Sequence, residues 1–118
     1  MLRPQDTASV YLYLEPVDMR KSIDGLSLLV EQELSLSPMQ SAVFVFCNRG
    51  RDKIKLLLWE RNGFIVWYKR LEKQRFCWPS QDDAMAQSCT GRELNALLDG
   101  FDIWRRPAHA ELAFSSVA

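Results

Sequence analysis

Asn62-Gly63 lies between two apolar runs, Lys53–Glu60 and Phe64–Lys69, and no other dipeptide in the chain restricts the fold as much. Both residues tolerate the positive φ of a two-residue type I′ turn, so the pair predicts a β-hairpin. A turn placed there also predicts a register. Arg61 faces Phe64, Trp59 pairs with Val66, Leu57 with Tyr68 and Lys55 with Arg70 on one side of the sheet. On the other side Glu60 pairs with Ile65, Leu58 with Trp67, Leu56 with Lys69 and Ile54 with Leu71. That second side is the natural core face for an amphipathic helix. The first side mixes Trp59, Phe64 and Tyr68 with Lys55, Arg61 and Arg70, which leaves two readings open. It is a second core face, covered by a C-terminal helix with cations snorkelling at the rim, or a stacking surface for nucleic acid.

The remaining elements follow from periodicity. Residues 1–9 read as a polar lead-in that does little. Val10–Val17 is rich in β-branched and aromatic residues and predicts a strand, with Pro16 at its end. In the next segment Met19, Ile23, Leu26, Val30 and Leu34 recur at helical spacing, which predicts a long helix with Asp18 as its cap. Gly25 inside it suggests a close approach to another element, and the SLSPMQS composition stops the helix by Ser35. Ala42–Cys47 predicts a strand, NRGRD a turn, RFCWP a short strand or edge segment, and SQDDAMAQS a polar connection. Thr90 and Glu93 match a capping box, with Leu94, Leu97, Leu98 and Phe101 as the apolar stripe and Gly100 as the stop. Phe101, Ile103 and Trp104 are expected to pack back on the domain. The expected architecture is α+β: an antiparallel sheet of four or five strands, one long helix after the first strand and a shorter C-terminal helix. Residues 10–104 form one domain and 105–118 a loosely held tail.

Charge is divided unevenly along the chain. The 118 residues carry fifteen basic and fifteen acidic side chains, yet Ala42–Pro79 holds nine basic residues against three acidic ones. A basic centre with acidic flanks points towards a polyanionic partner. The candidate DNA-binding residues are Arg49, Arg51, Lys53, Lys55, Arg61, Arg70, Lys73 and Arg75, with Arg20 and Lys21 at the start of the first helix. Arg49, Arg51 and Lys53 cluster at a turn, which suits phosphate contacts that position without reading sequence. A solvated loop is an equally simple reading of the same charges.

Other chemistries find little support. The single histidine, His109, lies in the tail, so a hydrolase-type triad lacks a base within the domain. Cys47, Cys77 and Cys89 are widely spaced and form no C-x-x-C pair, which fits reduced thiols and neither a zinc site nor a disulfide framework. No metal and no cofactor are expected, since phosphate-binding glycine patterns are missing. Asp18, Asp24 and Glu60 are the only carboxylates worth weighing as a catalytic set, and each is better read as a cap or a surface charge. Apolar runs fall far short of the roughly 20 residues needed to span a bilayer. The N-terminus has no apolar h-region, so a cytoplasmic location is expected.

The runs VDMRKSIDGLSLLVEQEL, FVFCNRGRDKIKLLLWERNGFIVWYKRLEKQRFCWP and ELNALLDGFDIW resemble the TnpB-type protein encoded by the second open reading frame of bacterial insertion sequences of the IS sixty-six family. The resemblance covers roughly Val10 to Trp104. Ser22 departs from it, standing where the family commonly has glycine after DMRK. What the resemblance implies is an accessory protein for DNA transposition, acting beside an element-encoded transposase and other transposition proteins. It implies no enzymatic activity and carries over no catalytic residue. Two roles fit it: binding of DNA or the DNA–transposase assembly through the basic central region, or bridging of transposase subunits without direct DNA contact.

Overall fold

Val43–Cys47 (β2) is buried at all five positions, so a layer must cover each of its faces. The computed structural model describes residues 3–80 and 84–104. In it β1 (Ser9–Tyr13), β3 (Lys53–Glu60), β4 (Gly63–Arg70) and β5 (Ala86–Thr90) complete a five-stranded sheet in the order β4-β3-β2-β1-β5. β1 and β2 run parallel, and the other neighbouring pairs are antiparallel. The sheet is therefore mixed, where the sequence predicts an antiparallel one. Parallel neighbours cannot be joined by a hairpin, so the chain crosses over, and the crossover carries α1 (Ile23–Glu33).

At eleven residues α1 is short, against the long helix expected. Its start is delayed because Asp18 closes a turn instead of capping: its carboxylate accepts the Arg20 backbone N–H at 2.9 Å and binds the Arg20 guanidinium. Ser22 occupies the N-cap position without a side-chain capping bond. Ser35 ends the helix with φ 55°, and the Leu36 N–H returns to the Val30 carbonyl. The atoms nearest to a Cβ placed on Gly25 belong to Lys21, just ahead of the same helix, so no separate element approaches there.

The two helices take opposite faces from those expected. Leu26 and Val30 of α1 pack with Tyr13, Phe44, Phe46 and Leu57, and with the partly buried Phe64 and Val66. Ile54 and Leu56 instead join Val43, Val45, Phe76, Trp78 and the leucines of α2 (Gly91–Leu98). The β1–α1–β2 crossover commits α1 to the phenylalanine face, and Phe76 and Trp78 help α2 fill the other. RFCWP is thus core filler rather than a strand.

The hairpin forms with its register two residues away from the predicted one. Glu60 pairs with Gly63, Trp59 with Phe64, Leu57 with Val66, Lys55 with Tyr68 and Lys53 with Arg70. The turn centres on Arg61 at φ 58°, with the Asn62 N–H bonded to the Glu60 carbonyl at 2.6 Å. Positive φ therefore falls on Arg61 and not on Asn62-Gly63. This register sets Trp59 edge-on to Phe64, ring centroids 5.0 Å apart. A slip of two leaves every side chain on its predicted face.

Around α2 the sequence reads closely. Thr90 Oγ1 accepts the Glu93 N–H, and Glu93 Oε1 accepts the Thr90 N–H, which is the capping box. Gly100, at φ 95°, closes the other end: its N–H bonds to Leu97 O and the Phe101 N–H to Ala96 O. Ile103 and Trp104 pack on the core, but Phe101 is 65 % exposed. Two features are new. AQSCT, whose first three residues are expected in a polar connection, is the edge strand β5, paired with β1 through five residue pairs. Residues 3–8 are strapped to α2: Arg3 pairs with Asp99 at 2.7 Å, Asn95 Nδ2 donates to Pro4 O, and the Gly91 and Arg92 N–H groups donate to Ala8 O and Asp6 O. The expected tail, 105–118 with His109, lies outside the described residues.

The strap passes so close to Gly91 that a Cβ there would collide with the Gln5 carbonyl, whereas one on Gly63 would meet nothing. Gly91→Ala should cost about 2 kcal/mol and Gly63→Ala within about 0.5 kcal/mol, as read by urea denaturation. Equal midpoints for the two variants would contradict the strap.

Candidate nucleic-acid interface

One side chain organises the basic turn. Asn48 Oδ1 accepts the backbone N–H groups of Asp52 and Lys53 at 3.1 and 3.0 Å, and its Nδ2 donates to Asp52 Oδ1 at 2.7 Å. Arg51 completes the turn in the left-handed region, φ 61°, with its N–H on the Asn48 carbonyl. The chain after β4 braces it from outside: the Phe76 N–H bonds to Arg51 O at 2.7 Å and the Leu71 N–H to Asp52 O at 2.8 Å. An ordered backbone thus holds Arg49 and Arg51 out in solvent.

Beside this turn runs the segment ahead of α1. The Val17 N–H bonds to the Cys47 carbonyl at 2.9 Å, and Lys55 Nζ donates to Met19 O and Lys21 O at 2.7 and 2.8 Å. Between segment and turn lies a groove of about 700 Å³, with Arg20, Arg49, Gly50, Lys53 and Tyr68 among its lining residues. Tyr68 is 49 % exposed, with Lys55 Nζ 5.5 Å from its ring centroid. Of the three aromatics left open between two readings, Phe64 belongs to the α1 core cluster, Trp59 is half-buried against it, and Tyr68 alone is open.

Most of the candidate cations converge here. Arg49, Arg51 and Lys53 are in the turn, Arg20 and Lys21 on the adjoining segment, Arg70 opposite Lys53, and Lys73 and Arg75 beside Gly50 across a shallow pocket. Arg61 is the exception. It sits at the hairpin turn, past the other end of the eight-residue β3, about 25 Å away at about 3.3 Å per residue. Lys55 has a structural task, holding the groove wall. Lys69, from the same basic stretch, donates to the Leu98 carbonyl at the end of α2. Three cations pair with carboxylates: Arg20 with Asp18 at 2.6 Å, Lys53 with Asp52 at 3.3 Å and Arg70 with Glu72 at 2.9 Å. Lys21, Arg49, Arg51, Lys73 and Arg75 make no ion pair among the described residues.

Asn48 is the contributor that sequence reasoning passed over, whereas Tyr68 is named there only with two readings open. Asparagine directly after an apolar strand and before R-G-R-D was a usable signal, since its side chain readily bonds backbone a few residues on. Tyr68 could not be told from a core aromatic by its alternation alone. The cysteines lie outside the groove lining: burial pushes Cys47 and Cys89 up to about 12, so both are protonated at neutral pH. Among the described residues no three His, Cys, Asp or Glu side chains group to hold a metal ion, and no helix is long and apolar enough to cross a membrane.

Fold and site together define a small mixed-sheet α+β fold with most of its candidate cations gathered at one end. The chain belongs to the family described as IS66 Orf2 like protein, which it matches over residues 8–108. It is similar to two proteins of Sinorhizobium fredii (strain NBRC 101917 / NGR234). One, "Uncharacterized protein y4hO", is 33% identical over 107 residues, covering 91% of each chain. The other, "Uncharacterized protein y4jC", is 30% identical over 106 residues, covering 90% of this chain and 89% of its own. No solved structure matches at a significant level. Family membership suggests an accessory role in transposition and association with the insertion-sequence machinery.

Asn48→Ala strands two backbone N–H groups and frees the turn; it should cost about 2 kcal/mol in urea denaturation. The Arg20 side chain, then its backbone N–H, holds the Asp18 carboxyl down at about 2 from 3.8. A depressed carboxyl pKa keeps the pair intact above the ordinary range and loses it only as pH falls through about 2. NMR titration should place the Asp18 midpoint near 2, and Arg20→Ala should return it towards 3.8.

Proposed function

We propose that this chain is a non-catalytic accessory protein of insertion-sequence transposition that holds DNA, alone or within the transposase assembly, by its phosphates at the Asn48–Lys53 end of the sheet. The observation that carries this reading is the convergence of Arg49, Arg51, Lys73 and Arg75 on the Asn48–Lys53 turn, none of them in an ion pair among the described residues. Cations left unneutralised side by side repel one another, and a polyanion relieves the repulsion while releasing its own counterions. The rigid turn favours the same role, since it presents Arg49 and Arg51 with little backbone freedom left to lose on binding. Asp18 engages Arg20 at the groove while Glu60 lies at the far turn, a separation that supports binding over cleavage by these carboxylates.

Fluorescence anisotropy with a labelled duplex from the element terminus, and with a random duplex, tests the reading. Binding should weaken with salt, and Arg49→Ala with Arg51→Ala should lower the slope of log affinity against log salt by roughly one for each phosphate contact removed. Arg61→Ala, at the other end of β3, should behave as the parent. Absence of binding at low salt, or a double variant indistinguishable from the parent, overturns the proposal. Retention of the transposase after nuclease treatment, in that event, would assign the chain a bridging role.

A further inference from the structure

Tyr68 is placed where an aromatic side chain has little structural reason to be. Its neighbours on the same face of β4, Phe64 and Val66, lie against the α1 cluster, whereas Tyr68 stands half in solvent and forms a wall of the groove. Cations surround it. Lys55 lies directly opposite on β3, Lys53 and Arg70 face each other at the next pair on the same face, two positions along, and Arg20 and Arg49 line the groove. Two like charges directly opposite in a sheet destabilise the pairing. Asp52 and Glu72 relieve Lys53 and Arg70 only in part, because both pairs are solvent-screened.

From this arrangement we infer that the groove is a seat for an unpaired nucleotide of a DNA strand, with the base stacked on Tyr68 and the flanking phosphates on Arg49 and Lys53. The inference rests on the DNA-binding reading above and names the form of DNA the groove takes. Duplex DNA offers phosphates to Arg49, Arg51, Lys73 and Arg75, but its base faces are stacked on one another and closed to a tyrosine. A single strand, a frayed end or a flipped base presents both a phosphate and a π face within a few ångströms. An open aromatic ring beside cations matches that pair of features. The groove volume of about 700 Å³ accommodates one nucleotide with its solvent. Lys55, over the Tyr68 ring and bonded to the Met19 and Lys21 carbonyls, fixes the wall against which a base would rest.

The test compares a labelled 12-nucleotide single strand with a blunt duplex of the same sequence, by anisotropy on the full chain. Tyr68→Ala should weaken single-strand binding about tenfold and duplex binding less than twofold, since stacking on one aromatic contributes on that order. Tyr68→Phe, which keeps the ring, should stay within twofold of the parent on both. Because Tyr68 is half exposed, thermal melting should show the alanine variant folded, which separates lost stacking from lost structure. Tyr68→Ala that leaves the single strand unaffected, or weakens both forms equally, overturns the inference. If duplex binding persists and still depends on Arg49 and Arg51, only the stacking inference has failed. If neither form binds, the reading beneath it has failed too.

Discussion

A strand with apolar side chains on both faces cannot be left with either face in water, and Val43–Cys47 imposes that condition on the whole chain. Its valines and cysteine point one way and its phenylalanines the other. Each face must find a covering layer, at roughly 25 cal/mol for every Å² of apolar surface withdrawn from water. The crossover from β1 brings α1 to the phenylalanine face. α2, with Phe76 and Trp78 from the chain after the hairpin, closes the other. Once both layers are in place β2 is central, and the two chain reversals next to it, before α1 and after β2, lie side by side at one end of the sheet.

That adjacency creates the basic end. Val17 hooks onto the last residue of β2, Asn48 folds the following turn back on itself, and the chain leaving β4 braces the turn through Leu71 and Phe76. Three segments distant in sequence therefore deliver their cations to one place. Few are engaged inward. Lys55 and Lys69 are bonded to carbonyls, which explains why a count of charges along the chain overstates the binding surface.

Much of this was legible in the chain, and what was missed has identifiable causes. The face assignment of β3 and β4 could be read because a period of two is insensitive to a slip of two. The capping box at Thr90 and the stop at Gly100 could be read because local hydrogen bonds decide them. β5 escaped because AQSCT lies at an edge, largely exposed, and is held by backbone pairing with β1 rather than by an apolar pattern. The strap of residues 3–8 escaped for a similar reason: its bonds run from carbonyls and polar side chains to partners some ninety residues away. The covering of the sheet was assigned the wrong way round because hydrophobicity marks a face as buried without naming its cover. Arg20 could be grouped with Arg49 on charge alone, but the pairing that brings them together, β1 beside a parallel β2, could not be read.

The hairpin register has a consequence for the opposite end of the molecule. Because a shift of two residues preserves every face, the core cannot distinguish neighbouring even registers by which side chains are buried; the turn at Arg61 and the Trp59–Phe64 contact do that work. The same choice decides, six or seven residues away, that Lys55 and not Leu57 lies opposite Tyr68. The turn thus acts as the zero mark of a ruler whose reading is taken at the groove. Moving it one residue along the chain would leave the hydrophobic layers correctly filled while sliding the groove's aromatic and cationic partners out of alignment.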